Sequence, residues 1–252
     1  MRKNDTVLWD PAVALVLLTR LPLPRLPNAA FASQARAAWA FPLVGVVVGL
    51  VAAAAGSAAL ALGLPPAITA GLVLSVQIIV TGAMHEDGLA DTVDGLWGGW
   101  TAERRLEIMK DSRIGTYGVL ALILSVGLRW SALTAILTTS VPFAAIIATG
   151  ALSRSALPAL MTTLPRARPG GLSDQVGAPG IWVSALALAL GAATSVLALG
   201  GLAINSIMIM VAVVAGLARL AQVRIGGQTG DILGAAQQIA EISILLTCAS
   251  ML

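Results

Sequence analysis

Apolar residues run along this chain in blocks of about 20, the length that crosses a bilayer core. Polar residues gather in the short stretches between them. The blocks cover positions 39–63, 67–84, 116–139, 141–163, 181–203 and 206–222, and a seventh runs from 233 to 252 with Gln237, Gln238 and Glu241 inside it. They are continuous runs of Ala, Val, Leu and Gly, not period-2 alternations, so they read as helices and not as strands of a barrel. The pattern predicts an all-α fold, a polytopic transmembrane helix bundle of six to seven spans forming a single domain over residues 1–252. The seventh block, with its polar side chains, is expected to pack inside the bundle. Before the first block, Asp10-Pro11 interrupts the apolar pattern, the clean run 12–18 is short, and Arg20, Pro22, Pro24 and Pro27 follow. Residues 1–36 therefore read as an N-terminal interfacial or partly inserted segment, not as a cleaved signal peptide.

Composition strengthens this picture. The 252 residues are 58% hydrophobic and only 11% charged, against roughly 25% charged in soluble domains, and the mean hydropathy is +0.91. So few polar groups could not cover a water-soluble surface. A net charge of +3 would suggest nucleic acid in a soluble protein; here Lys and Arg act as topology determinants and no nucleic-acid partner is expected. The turns at 63–66, 139–142 and 200–205 carry no charge, whereas Arg2, Lys3, Arg20, Arg25, Arg36, the 85–113 stretch, Arg166, Arg168, Arg219 and Arg224 all fall on the other side. The positive-inside rule makes that side cytoplasmic. Crossing parity then brings three distant stretches, 85–113, 164–180 and 226–231, to one membrane surface. Cys248 stands alone in an apolar run, so it forms no internal disulfide.

No charge separates Arg36 from the stretch His85-Glu-Asp-Gly-Leu-Ala-Asp-Thr-Val-Asp-Gly95, and seven of the twelve Asp and Glu residues lie between Glu86 and Asp111. If 85–96 continue the second span as a helix, Asp87, Asp91 and Asp94 share one stripe at i,i+4 and i,i+3. Like charges at that spacing repel by a few tenths of a kcal/mol when exposed, and by more beside a low-dielectric bilayer. A hard divalent cation resolves the crowding, and Mg²⁺ characteristically takes one or two carboxylates, keeps waters and bridges to phosphates. A solvated acidic loop is the plainer alternative. The ligand order of an EF-hand is absent, and a single His with a remote Cys argues against zinc.

Basic residues follow in 101–118, where Thr101 can cap a short interfacial helix with Glu103 in its first turn. That leaves Arg105, Lys110 and Arg113 for anions, with a salt-bridged surface helix, Glu107 to Lys110 or Arg104, as the alternative. Arg129 and Arg154 fall inside predicted spans, where ionisable groups default to function. Gly226-Gly-Gln-Thr-Gly-Asp231 offers backbone N–H groups, Gln228, Thr229 and one more carboxylate, Asp231, for a phosphate. Acidic metal ligands beside Arg and Lys point to phosphoryl or nucleotidyl transfer. A cation or proton transporter would instead place carboxylates midway through spans.

His85–Gly95, Glu107-Ile-Met-Lys-Asp-Ser-Arg-Ile-Gly-Thr-Tyr-Gly118 and Gly226–Asp231, together with Thr19-Arg-Leu-Pro-Leu-Pro24 and Phe41-Pro-Leu-Val-Gly45, resemble the signature stretches of the cobalamin synthase family, the adenosylcobinamide-GDP ribazoletransferases, over essentially the whole chain. The resemblance implies an integral enzyme of the cytoplasmic (inner) membrane that joins adenosylcobinamide-GDP to α-ribazole or its 5′-phosphate, uses Mg²⁺ and releases GMP. It implies Asp87, Asp91 and Asp94 as metal ligands with Asp231 completing the set, and Arg105, Lys110, Arg113, Gln228 and Thr229 on the phosphates. The proton acceptor would come from His85, Glu86 and Asp94. Partners would be the two substrates, the lipid bilayer, and a second copy of the chain or other corrinoid-pathway enzymes. The Asp-Gly-x-x-Ala-Asp-x-x-Asp-Gly run is also similar to the metal motif of CDP-alcohol phosphotransferases, which perform the same type of displacement.

Overall fold

The computed structural model describes residues 7–251, so Arg2, Lys3 and Leu252 lie outside the described residues. In chain order the helices are α1 (Asp10–Leu18), α2 (Gln34–Ala37), α3 (Phe41–Ala61), α4 (Pro66–Thr81), α5 (Met84–Gly98), α6 (Ala102–Ile108), α7 (Thr116–Ile136), α8 (Pro142–Ser155), α9 (Leu157–Thr163), α10 (Leu172–Val176), α11 (Ile181–Leu199), α12 (Leu202–Ile225) and α13 (Gly230–Met251). No strand occurs among the described residues; one isolated bridge joins Arg166 to Gln228. Six helical stretches are long and apolar enough to cross a membrane, or seven if α4 and α5 are counted together as one bent span. The protein is a multi-pass membrane protein.

The expected second span does not run on into the acidic stretch. Gly82 and Ala83 both adopt positive φ, at 66° and 57°, and α5 leaves α4 at an angle of 86°. Gly82 is free to do so; Ala83 carries a steric penalty of about 1–2 kcal/mol in that region, while its N–H bonds the Ile78 carbonyl and its carbonyl accepts from Asp87 N–H. The helix expected over 85–96 does form, but as a separate element outside the six spans, laid against α13 and α7. The block at 141–163 is likewise two helices, because Pro158 enters α9 without an N–H to continue the ladder of α8.

Small residues let the helices approach closely, as lipid-embedded bundles require. Gly45 of α3 meets Gly150 of α8 backbone to backbone, so a Cβ on either would strike the other's carbonyl. Gly88 of α5 lies against α13, where an added Cβ would sit 2.9 Å from the Asp231 carbonyl and 3.0 Å from Gly234 Cα. Gly45→Val is therefore expected to lower stability by about 1–3 kcal/mol or more, seen as a lower melting temperature of the detergent-purified protein; unchanged melting would show that α3 and α8 do not touch there. The N-terminal segment is fastened to the bundle. Asp10 is buried, and Arg36 donates to both its carboxylate oxygens while Trp39 Nε1 donates at 3.2 Å. Val13, Ala14 and Leu18 of α1 are buried as well.

Candidate active site

Three stretches far apart in sequence meet at one end of the bundle. The 165–167 segment pairs with residue 228: Gln228 N–H donates to the Pro165 carbonyl at 2.8 Å and Ala167 N–H donates to the Gln228 carbonyl at 3.0 Å. Ser173 Oγ donates to Gln228 Oε1 at 2.6 Å. This clamp carries Arg168 over the start of α13, where Nη2 donates to Asp231 Oδ2 at 2.9 Å and Nη1 to the Leu106 carbonyl at 3.2 Å. Thr229 Oγ1 caps α13 by accepting from Ile232 N–H and also bonds Asp231 Oδ2. The glycine contact at Gly88 then sets α5 beside Asp231.

Asp87 is exposed and Asp91 half-buried, one helical turn apart on α5. The Asp91 carboxyl is pushed up to about 7, first by burial and then by the charges of Asp87, Asp231 and Asp94, with Arg168 opposing. Among the described residues no three His, Cys, Asp or Glu side chains converge closely enough to form a protein-only metal cage. The donor set present, Asp87 and Asp91 with Asp231 facing them, suits a hard cation that takes one or two carboxylates and completes its shell with water and phosphate oxygens, as Mg²⁺ does.

The other residues singled out from the sequence are placed differently from that pair. Asp94 is buried and faces the start of α7, where its two oxygens accept from Gly115 N–H at 2.7 Å and Gly118 N–H at 2.9 Å. A carboxylate there also complements the helix dipole. Arg105 is buried and turned inward, donating to the Arg224 carbonyl at 3.0 Å. Arg113 is exposed and paired with Asp111, and its hydrogen bonds hold that carboxyl below the usual range. Arg104 pairs with Glu107, and Thr101 caps α6 through Arg104 N–H. Lys110 is exposed and lines a chamber of about 480 Å³ with Asp87 and Asp91.

Glu86 belongs to a charged cluster inside the bundle. Arg129 donates to Glu86 Oε1 at 3.0 Å and to Glu241 Oε1 at 3.2 Å. Gln238 Nε2 donates to the same Glu86 oxygen at 3.3 Å, Ser125 Oγ bonds Gln238 Oε1 at 3.1 Å, and Gln237 Nε2 donates to Ser153 Oγ and to Glu241. Arg154, also buried, donates to the Gly150 carbonyl of its own helix. Arg129 thus ties α7 to α5 and α13, and the Gln237–Ser153 bond adds α8. His85 is buried, its Nε2 has no hydrogen-bond partner in the structure, and its side chain lines a second cavity with Asp87, Arg168 and Asp231. Burial, followed by the charges of Arg154 and Arg129, lowers its pKa well below the ordinary value.

Arg168 is the site residue that sequence reasoning did not single out. Its signal was weak: one of two arginines in a loop known only to lie on the charged side. The apolar walls of the second cavity carried no signal of their own.

The chain matches the family model described as cobalamin-5-phosphate synthase over residues 10–249. Among curated proteins it is 49% identical to the adenosylcobinamide-GDP ribazoletransferase of Bradyrhizobium diazoefficiens, covering 97% of this chain and 94% of that one. It is 42% identical to the protein of the same name from Brucella canis, over 98% of each chain, and 42% identical to that of Mesorhizobium japonicum, over 95% of this chain and 92% of the relative. No solved structure matches it. With the match running through α5, the 164–180 loop and α13 alike, this multi-pass membrane transferase belongs to the cobalamin-5-phosphate synthase family.

Proposed function

We propose that the protein transfers the corrinoid phosphate of adenosylcobinamide-GDP to α-ribazole or its 5′-phosphate, with Mg²⁺, releasing GMP at the cytoplasmic face of the inner membrane. The observation that carries this reading is the convergence of Asp87, Asp91, Asp231, Arg168 and Lys110 from three parts of the chain at one end of the bundle. The names of its relatives supply the substrates, and the run of Lys and Arg at that end supports the orientation.

Asp87 and Asp91 would hold the metal, with Asp231 across the α5–α13 contact. When bound, Mg²⁺ neutralises and orients the pyrophosphate. The acceptor oxygen forms a bond to the phosphorus that bears the aminopropanol arm; the bond from that phosphorus to the bridging pyrophosphate oxygen breaks, and its electron pair leaves with GMP. Lys110 faces the departing phosphate as a point charge. Of the three groups offered as proton acceptor, Asp94 accepts from two backbone N–H groups, while Glu86 accepts from Arg129 and Gln238 on Oε1 only and keeps an unpartnered Oε2 beside the chamber. His85 is unpartnered and beside Asp87. Burial and the charges of Arg154 and Arg129 hold its proton affinity down, and incoming phosphate charge raises it. Asp94 orients α7 so that the 111–115 turn borders the chamber.

Detergent-purified protein given adenosylcobinamide-GDP, α-ribazole and Mg²⁺ is expected to release GMP, to stop when the metal is chelated and to resume when Mg²⁺ is restored. Absence of GMP from the wild type would overturn the assignment; release that survives chelation would overturn the metal.

A further inference from the structure

Two cavities flank the start of α5, and Asp87 is the residue they share. They differ in chemistry. The first, about 240 Å³, has polar groups from His85, Asp87, Arg168, Ser173 and Asp231, and the rest of its wall is apolar, with Leu17, Leu18, Phe41, Leu157 and Met161. The second, about 480 Å³, is open and edged by Asp91, Lys110 and the 111–114 turn.

The geometry points to a division of the site in which the apolar cavity takes the flat heteroaromatic base of the acceptor nucleoside and the open chamber takes the departing nucleotide. This rests on the transfer reaction proposed above. A displacement at phosphorus needs the entering and leaving oxygens roughly in line, so the two must approach the shared carboxylate from different sides. Size excludes the corrin: about 240 Å³ is below the roughly 300–1,000 Å³ of pockets for drug-sized ligands. Polarity then decides between the two bases. Guanine presents a full edge of donors and acceptors, and each one left unpaired against Leu17, Phe41 or Met161 costs about 1–3 kcal/mol. A benzimidazole is carbon apart from one free ring nitrogen, so its burial there is favourable. The ribose hydroxyls of a nucleoside seated this way come to the Asp87–Asp231–Arg168 rim. The nucleotide, with its phosphates, fits the chamber that has Lys110.

Met161 sits on α9 in the wall of the apolar cavity and makes the assignment testable. Met161→Trp is expected to raise the KM for α-ribazole at least tenfold while the KM for adenosylcobinamide-GDP stays within twofold. Lys110→Ala should do the reverse. Met161→Ala keeps the fold from being the only explanation: enlarging the cavity should raise kcat/KM for a riboside with a larger apolar base, such as naphthimidazole, relative to α-ribazole by about tenfold, the scale on which one methylene group discriminates in such pockets. If Met161 variants shift the KM for adenosylcobinamide-GDP instead, the assignment is reversed. If neither variant shifts base preference or either KM, the cavity is not a substrate site. Both results leave wild-type GMP release intact, so either failure is separable from failure of the reaction itself.

Discussion

Asp91→Asn protein is expected to reach the membrane and purify as the wild type does, yet to release GMP slower by about 10²–10³-fold or more. Asp91 stands among Asp87, Asp231 and Asp94, and burial plus those charges lift its carboxyl to about 7. Such crowding is unfavourable to the protein alone and becomes favourable when a divalent cation sits among the carboxylates. Removing one negative charge relieves the repulsion, so the substitution should leave the fold intact or slightly stabilised. What it removes is the charge that holds the cation, and a bound cation contributes several kcal/mol to the transition state; each 1.36 kcal/mol is tenfold in rate. A Mg²⁺ titration of the variant separates the causes: partial rescue at high Mg²⁺ marks Asp91 as a ligand. Near-wild-type turnover at ordinary Mg²⁺ would remove Asp91 from the site.

The second large effect belongs to the bundle interior. Arg129→Met should lower stability by about 3–5 kcal/mol, the range for breaking a buried ion pair from one side. Arg129 is 1% exposed and serves both Glu86 and Glu241, while Arg154 lies buried nearby and feels both carboxylates. Two arginines and two glutamates leave the cluster neutral; deleting Arg129 leaves it one charge negative. Adding Glu241→Gln to Arg129→Met restores neutrality, and the double variant should recover a substantial part of the lost melting temperature. A double variant no more stable than the single one would show that shape, and not charge balance, is what Arg129 supplies.

The apolar blocks made the helices legible, because a membrane span needs length and hydropathy before it needs any particular neighbour. Charge on alternate turns made the meeting of 85–113, 164–180 and 226–231 legible too, since parity counts crossings and not contacts. The bend at Gly82–Ala83 was not visible: Ala is an ordinary helix former, yet Ala83 adopts a positive φ where its N–H closes α4 on the Ile78 carbonyl and its own carbonyl opens α5. The same gap in sequence reasoning hid the roles of Asp94 and Arg105. Spacing put Asp94 on a stripe with Asp87 and Asp91, but its oxygens meet the N–H groups of an α7 that begins 22 residues later. Arg105 read as an exposed cation because Arg224, whose carbonyl it seeks, is 119 residues away. Gln237, Gln238 and Glu241 were the exception, polar groups so out of keeping with their block that an inward-facing helix was the economical reading.

Glu241 and Asp231 sit on α13, which leaves the ribosome after every other helix described. Arg129 and Arg154 enter the bilayer well before it. A nascent chain halted ahead of α13 would hold two buried arginines against one glutamate, Glu86, and its acidic site would lack its third carboxylate, Asp231. Charge of that kind inside a bundle is expensive. Insertion of α13 therefore completes the charge balance of the interior and the acidic site in the same event.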